Sequence, residues 1–313
     1  MQDSQLNVPI IPPRQRYAWL LVGYTLIIIA WGAWVRISGS GDGCGDHWPL
    51  CHGAAIPVGA ESKTWIEVSH RYSTAIFGIL ILLQLVTIFR STSRAHPARF
   101  WIVATLVFTA TEALIGRMLV KEGLVTDSES LRRMVVMPLH LVNTSALLFS
   151  QVMVAEHLSI AHLIKLPISK GTKRWGIVLG LVTVTLLTSG AIAALGSHLM
   201  PSESLMAGLL HDMQSDSHLS VRLRVLHPLL GIALPAALYF ALLSRGKGDT
   251  LHTPLHASLQ HLVTGAFTMV AIGFLTLVTL APTWLKLIHL TMANVLIILV
   301  ARVAFRARWS LSK

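Results

Sequence analysis

The chain has 313 residues, of which 53% are hydrophobic and only 12% are charged. This composition is too apolar for a soluble protein of this length, and it indicates an integral membrane protein. The formal net charge is +11, which binding to anionic lipid on one side of a membrane explains without any nucleic-acid partner.

Eight apolar stretches are each about as long as the roughly 20 residues that a membrane-spanning helix requires. They cover about residues 17–36, 68–89, 100–119, 134–155, 175–195, 224–243, 261–281 and 284–303. We therefore predict an all-α integral membrane protein with eight transmembrane helices arranged as two pseudo-repeated four-helix bundles. Residues 1–160 form the N-terminal half and residues 161–313 the C-terminal half.

The basic residues predict the orientation of these spans, because Lys and Arg accumulate on the cytoplasmic side. The first span follows Arg14 and Arg16, and it is longer than the core of a secretory signal, so we interpret it as a retained helix. With the N-terminus inside, the Lys-rich connection 157–174 also lies inside. The pattern predicts a multi-pass protein of the inner cell membrane with both termini cytoplasmic.

The first outer loop runs from Ser38 to Lys63 and contains the only two cysteines, Cys44 and Cys51. Six residues separate them, and the predicted orientation places them on the oxidising side. We therefore predict a disulfide between them. Their spacing leaves open whether this bond braces the loop or exchanges with a redox partner.

The second helix begins with three polar residues at the mouth of an apolar run, namely Glu67, His70 and Arg71. Polar groups at membrane depth are usually functional. Glu67 and His70 are three residues apart, so they share one face of a helix. In the third helix, Glu112 is expected to pack or to pair with Arg117 rather than to take part in catalysis.

Four histidines occupy similar positions in the even-numbered helices. The second half of the chain weakly repeats the first, so that His227 matches His70 and His289 matches His140. All four lie at a similar depth of the outer leaflet. Two histidines on facing helices supply the axial ligands of a haem iron in helical bundles. We therefore predict two haem sites, one in each half.

The two halves differ in the residues beside these histidines. Aligning His70 with His227 places Glu67 opposite Arg224. A carboxylate one turn from a haem ligand can take or give a proton, whereas Arg224 and Arg71 suit haem propionates. The first half is therefore predicted to be the chemical site, and the second half to hold a resident electron-transfer haem.

With these motifs, the chain resembles the haem A synthase family of membrane haem-modifying oxygenases. The resemblance covers essentially the whole chain, and it is carried by the G-C-x-x-x-W-P-L-C loop, the E-x-x-H-R motif and the further helix histidines. These are Gly43, Cys44, Trp48, Pro49, Leu50, Cys51, Glu67, His70, Arg71, His140, His227 and His289.

The resemblance implies a substrate, a resident cofactor and a reaction. Haem O, the product of a farnesyltransferase, would enter the first half, with His70 and His140 as ligands and Glu67 as an essential acid. Its C8 methyl would be oxidised through an alcohol and a hydrated aldehyde to the formyl group of haem A, for cytochrome oxidase assembly. A b-type haem would be held by His227 and His289.

Two features of the resemblance leave questions open. Many relatives carry a further cysteine pair in the third outer loop, whereas Gly196 to Val221 has none and is expected to be a long polar loop, hypothetically a lid. An iron with two tight axial ligands has no free position for oxygen, so either one first-half histidine loosens or the mechanism is less direct.

Two other functions compete with a synthase. A dihaem b-type electron carrier would use the same histidines without substrate chemistry. A transporter is expected to have polar residues at the midplane, whereas those of this chain are concentrated near one leaflet. The sequence names no electron donor and leaves a homo-oligomer open.

Overall fold

The computed structural model describes residues 12–126, 128–159, 163–243 and 253–311. The helices and strands are α1 Pro13–Ile37, α2 Ser62–Ser91, α3 Ala98–Lys121, α4 Leu131–His157, β1 Leu163–Lys165, α5 Lys170–Leu199, α6 Leu205–Met213, α7 Leu219–Arg224, α8 Leu226–Leu243, α9 Thr253–Val278, α10 Thr283–Arg308 and β2 Trp309–Leu311.

Eight helical segments in the described ranges are long and apolar enough to cross a membrane, which confirms the predicted class and number of spans. The boundary predicted between residues 160 and 161 lies outside the described residues. So do several charges that entered the predicted orientation, namely Asp3, Arg245, Lys247, Asp249 and Lys313.

Short polar residues mark where several of these helices begin. The side chain of Ser130 accepts a hydrogen bond from the backbone N–H of Arg133 at the start of α4, and Ser169 does the same for Thr172 at the start of α5. Such caps satisfy amide groups that have no partner within the helix. At α1, Pro13 occupies the first position, where the missing N–H costs nothing.

Helices α1 to α4 pack in a closed ring, in which α1 contacts both α2 and α4, and α3 contacts both α2 and α4. The two halves meet where α1 and α4 pack against α10. This interface is built from aliphatic side chains, namely Val22, Leu148, Val152, Ile297 and Ala301.

Polar contacts reinforce the same junction at its inner end. Glu156 on α4 is buried and lies 3.0 Å from Arg302 and 3.5 Å from Arg306, both on α10. The strands β1 and β2 pair in antiparallel register just beyond these helices. The long helices from both halves therefore share one packed core.

The sixth span differs from its predicted form. It is divided into α7 and α8, with the break at Val225. Pro228 lies in the first turn of α8, where its lack of an N–H is tolerated, whereas a continuous helix would lose a hydrogen bond there. The span therefore begins at Leu219, five residues before the predicted start at Arg224.

The third outer loop is more ordered than its composition indicates. Helix α5 continues to Leu199, and α6 follows after a short turn. Five large apolar side chains of α6 are exposed, namely Leu205, Met206, Leu209, Leu210 and Met213. The expectation of a long polar loop is therefore wrong for Leu205–Met213, which is a short helix with an apolar surface.

Candidate functional site

The first outer loop is closed by a disulfide between Cys44 and Cys51, which confirms the predicted bond. Both cysteines are fully buried. Gly43 lies so close to the start of α2 that a Cβ atom there would stand 2.6 Å from the carbonyl oxygen of Lys63. The hydroxyl of Thr64 also donates to the carbonyl of Gly43 at 2.7 Å. The loop is thus packed directly on the outer end of α2.

Glu67 and Arg71 bind α2 to this loop. Oε2 of Glu67 accepts a hydrogen bond of 2.8 Å from the backbone N–H of Cys44, and Oε1 accepts from Nε and Nη2 of Arg71 at 3.1 Å and 2.5 Å. Nη1 of Arg71 donates to the carbonyl oxygens of His47 and Leu50 at 2.8 Å and 3.0 Å. Glu67 is only 3% exposed, so this is a buried ion pair that fixes the loop.

Arg224 makes a similar set of contacts with the third outer loop. Its Nε forms an ion pair with Asp212. Nη1 donates to the carbonyl of Met200 and Nη2 to the hydroxyl of Ser202, both at 3.0 Å. Each half therefore has an arginine that holds the loop above its histidines. The assignment of Arg71 and Arg224 to haem propionates stays a prediction.

Three of the four predicted ligand histidines face a glycine on a neighbouring helix. A Cβ atom at each glycine would lie about 3 Å from Cε1 of the ring, closer than ordinary contact. The pairs are Gly32 with His70 at 2.9 Å, Gly190 with His227 at 3.0 Å and Gly273 with His289 at 3.1 Å. The missing side chains let these three rings lie against the neighbouring helix backbone.

The second-half histidines form a close pair. The ring centroids of His227 and His289 are 6.2 Å apart, and the rings are almost perpendicular, at 87°. With a metal–nitrogen bond of about 2 Å and about 1 Å more from nitrogen to ring centre, two axial imidazoles have centroids about 6 Å apart. The observed separation therefore fits two axial ligands of one haem iron.

The surroundings of this second pair also fit a haem. Nδ1 of His227 lies 3.1 Å from the hydroxyl of Ser189, while Nδ1 of His289 is buried without a hydrogen-bond partner in the described chain. A haem provides four equatorial nitrogens itself and requires only axial ligands from the protein.

The first-half pair, His70 and His140, has a different environment. His70 lies eight residues after the start of α2, and His140 lies nine residues after the start of α4. Nδ1 of each ring is buried without a hydrogen bond in the described residues. Oε1 of Glu112 is 3.4 Å from Nδ1 of His140, so a carboxylate on α3 lies next to this ring.

Glu112 is held by α4 and not by its predicted partner Arg117. Its Oε2 accepts a hydrogen bond of 2.6 Å from Nδ2 of Asn143, and its Oε1 accepts from the hydroxyl of Thr144. The expectation of an ion pair with Arg117 is therefore wrong. The signal that sequence analysis missed is local, since Asn143 and Thr144 stand three and four residues after His140 and share its helix face.

The fold defines a multi-pass membrane protein, and the separation of the His227 and His289 rings fits two axial ligands of one haem iron. The chain belongs to the COX15-CtaA family, described as cytochrome oxidase assembly protein, whose family model matches residues 15–301.

Individual relatives point in the same direction. A protoheme IX farnesyltransferase of Thermus thermophilus is 34% identical over 280 residues, which are 88% of this chain and 45% of the relative. Heme A synthases of Shouchella clausii and Bacillus cereus are 36% and 35% identical over 91 and 98 residues, about 30% of each chain. The present chain thus matches less than half the length of each of these relatives.

Proposed function

We propose that this protein is a haem A synthase that oxidises the C8 methyl of haem O to a formyl group by successive hydroxylations. The proposal rests on a difference between the residues that lie beside the two histidine pairs. Carboxylates occur beside the first pair, as Glu67 one turn before His70 and as Glu112 beside His140. In the second half, neutral Ser189 and Gly273 stand beside the rings.

In this proposal, the first half binds the substrate. His70 on α2 and His140 on α4 would hold the iron of haem O. The loop closed by Cys44 and Cys51 covers the outer end of α2 and limits the access of water. Each hydroxylation would replace a C–H bond of the methyl group with a C–OH bond, using O₂ together with two electrons and two protons and releasing the second oxygen atom as water.

Glu67 is the proposed acid–base group of this half. A carboxylate has about four positions at which it accepts hydrogen bonds, and Cys44 and Arg71 donate three bonds to Glu67. One position remains from which Glu67 can take up or return a proton. The donors around it stabilise the carboxylate between these events.

The second half would hold haem b between His227 and His289, with the 6.2 Å separation of their rings supporting this role. When bound there, haem b supplies one-electron transfer. Ser189 accepts or donates at Nδ1 of His227 and so orients that ring.

The proposed substrate also implies a partner and a location. The relative named for protoheme IX farnesyl transfer supports a place in the haem O pathway, and a farnesyltransferase is the class of enzyme that makes haem O. We place the chain in the inner membrane with both termini cytoplasmic, on the basis of the positive charges at that side.

A dihaem electron carrier is the second candidate, and one observation favours it. The contacts of Glu67 with Cys44 and Arg71 give this carboxylate a structural role that needs no substrate chemistry. In that case both halves would hold unmodified haem permanently.

Pigment analysis separates these functions. The chain is expressed in membranes that contain haem O, and the extracted haem is identified by chromatography and mass. Haem A or its alcohol precursor is expected from the parent chain and not from Glu67→Ala. If the parent and the variant both yield only unmodified haem, the electron carrier is the better account.

A further inference from the structure

Glu112, the carboxylic acid on α3 beside His140, lies unusually deep in its membrane-spanning helix. Glu112 lies nine residues before Lys121, the last residue of α3, which is about 13 Å along the helix. A carboxylate so far inside a membrane span is costly and is generally functional. Its side chain is 23% exposed and that of His140 is 32% exposed, so neither is fully enclosed by protein.

The local network holds this carboxylate in place from the opposite side. Asn143 donates to Glu112 and to the carbonyl of Phe108 at 3.0 Å, while its own carbonyl accepts from Thr111 at 2.7 Å. Thr144 supplies a second donor to the carboxylate. These contacts fix the carboxylate beside the imidazole of His140, and the Nδ1 atom of that ring has no other hydrogen bond in the described chain.

Among the described residues, the second half has no counterpart to this arrangement. His289 occupies the position on α10 that His140 occupies on α4, and the residue facing it from α9 is Gly273. In the described part of the chain, only the first site therefore has a carboxyl group beside a predicted axial histidine. A difference confined to the proposed substrate site indicates a role in handling the substrate haem.

We propose that Glu112 is a positioning residue that makes His140 the stronger of the two first-half axial ligands. Its Oε1 accepts the Nδ1–H of His140 and thereby presents Nε2 to the haem iron. The distance of 3.4 Å is expected to shorten to a hydrogen bond in the haem-loaded protein, since hydrogen bonds of functional groups often tighten when the ligand binds. This inference rests on the proposed function only in requiring a haem in the first half.

The same geometry assigns the weaker ligand. Nδ1 of His70 has no hydrogen-bond partner among the described residues, and its ring lies against Gly32. A carboxylate that accepts from an axial histidine fixes its orientation and raises its basicity. With haem bound, His140 would be the more firmly held ligand, and His70 would be the one able to release the iron.

The redox potential of the first-half haem tests the role of Glu112. Purified, haem-loaded protein is titrated for the parent, Glu112→Gln and the control Glu122→Gln, which alters an exposed ion pair with Arg132. Glu112→Gln is expected to raise the ferrous-to-ferric ratio of the first haem about tenfold, a shift of about 59 mV for one electron. The second haem and the control are expected to keep the parent values.

A second variant distinguishes a direct effect on His140 from a loss of folding, because it is expected to shift the potential in the opposite direction. Thr144→Val removes one donor from Glu112, so more negative charge falls on His140 and the potential of the first haem is expected to fall. Equal first-haem potentials in the parent, Glu112→Gln and Thr144→Val would overturn the proposal.

The two ligands are compared by electron paramagnetic resonance. His70→Ala is expected to retain the first haem as a high-spin, five-coordinate species, whereas His140→Ala is expected to lose it. The reverse pattern would contradict the assignment of His140 as the stronger ligand. Haem A formation is measured in parallel on the parent, so that failure of the synthase proposal is seen separately from failure of the Glu112 proposal.

Discussion

Glu67 accepts a hydrogen bond of 2.8 Å from the backbone N–H of Cys44. This bond joins the disulfide loop to the helix that carries His70, so the conformation of the loop and the position of the carboxylate depend on each other. Arg71 strengthens the connection, because it contacts both Glu67 and the carbonyls of the loop. The outer end of α2 and the loop therefore act as one structural unit.

The ion pair in this unit is expected to contribute strongly to stability. Glu67→Gln leaves the charge of Arg71 without its partner in a buried position, and breaking such a pair costs on the order of 3 kcal/mol of unfolding free energy. Thermal unfolding of the purified protein measures this loss. Glu122→Gln breaks an exposed pair with Arg132 and is expected to cost about 0–1 kcal/mol. Equal losses in both variants would contradict a buried ion pair.

Substitutions at Gly32 and Gly190 test, separately in each half, whether a histidine ring lies against a glycine. A methyl group at Gly32 would lie 2.9 Å from the ring of His70, and one at Gly190 would lie 3.0 Å from that of His227. Gly32→Ala is expected to perturb the first haem and Gly190→Ala the second, as measured by optical spectra of the purified protein. Gly78→Ala serves as control because a Cβ there meets no atom within 4 Å. Parent spectra for all three variants would show that the rings do not occupy these positions when haem is bound.

Arg224 is expected to hold the third outer loop closed. Arg224→Ala removes the ion pair with Asp212 and the bonds to Met200 and Ser202. Limited proteolysis between residues 200 and 218 is therefore expected to become several-fold faster. The exposed neighbour Arg222 provides the matched control as Arg222→Ala. If both variants are cleaved at the parent rate, Arg224 does not close this loop.

The inner turn between α2 and α3 is expected to weaken in acid. Burial lowers the pKa of His96 from its ordinary value, and the charge of Arg99 lowers it further. The unfolded turn therefore binds a proton more readily than the folded one, so stability falls as the pH drops below about 6.5. Protonation of Nδ1 would also remove its bond from the N–H of Ala98.

Hydrogen exchange at Ala98 measures this effect. After correction for intrinsic rates, exchange is expected to be faster at acid pH than at neutral pH in the parent. His96→Asn keeps a side-chain acceptor that does not titrate, so its exchange is expected to depend less on pH. The same pH dependence in both proteins would exclude His96 as the cause.

The sequence predicted the membrane spans and the disulfide because both depend on local features. Apolar length defines each span, and Cys44 and Cys51 are the only cysteines. The break at Val225 was missed because the spans were predicted from apolar length alone, although Pro228 carried a signal for it. Contacts between helices were harder to predict, since they depend on how each helix is rotated about its axis.

Glu112 is an example of a contact between helices that the sequence did not predict. The sequence offered Arg117 as a partner on the same helix, whereas the structure places the carboxylate against α4. The polar residues Asn143 and Thr144, one turn after His140, carried the missed signal. Polar residues near a ligand histidine are therefore best examined together with charged residues on every neighbouring helix.

The central claim is that the first half performs the chemistry and the second half supports it. We would therefore express the parent, His140→Ala and His289→Ala in membranes that contain haem O, and identify the haems in each purified protein by chromatography and mass. The account predicts oxidised products from the parent, none from His140→Ala although haem b is retained, and loss of haem b from His289→Ala. Normal haem A formation by His140→Ala would contradict it.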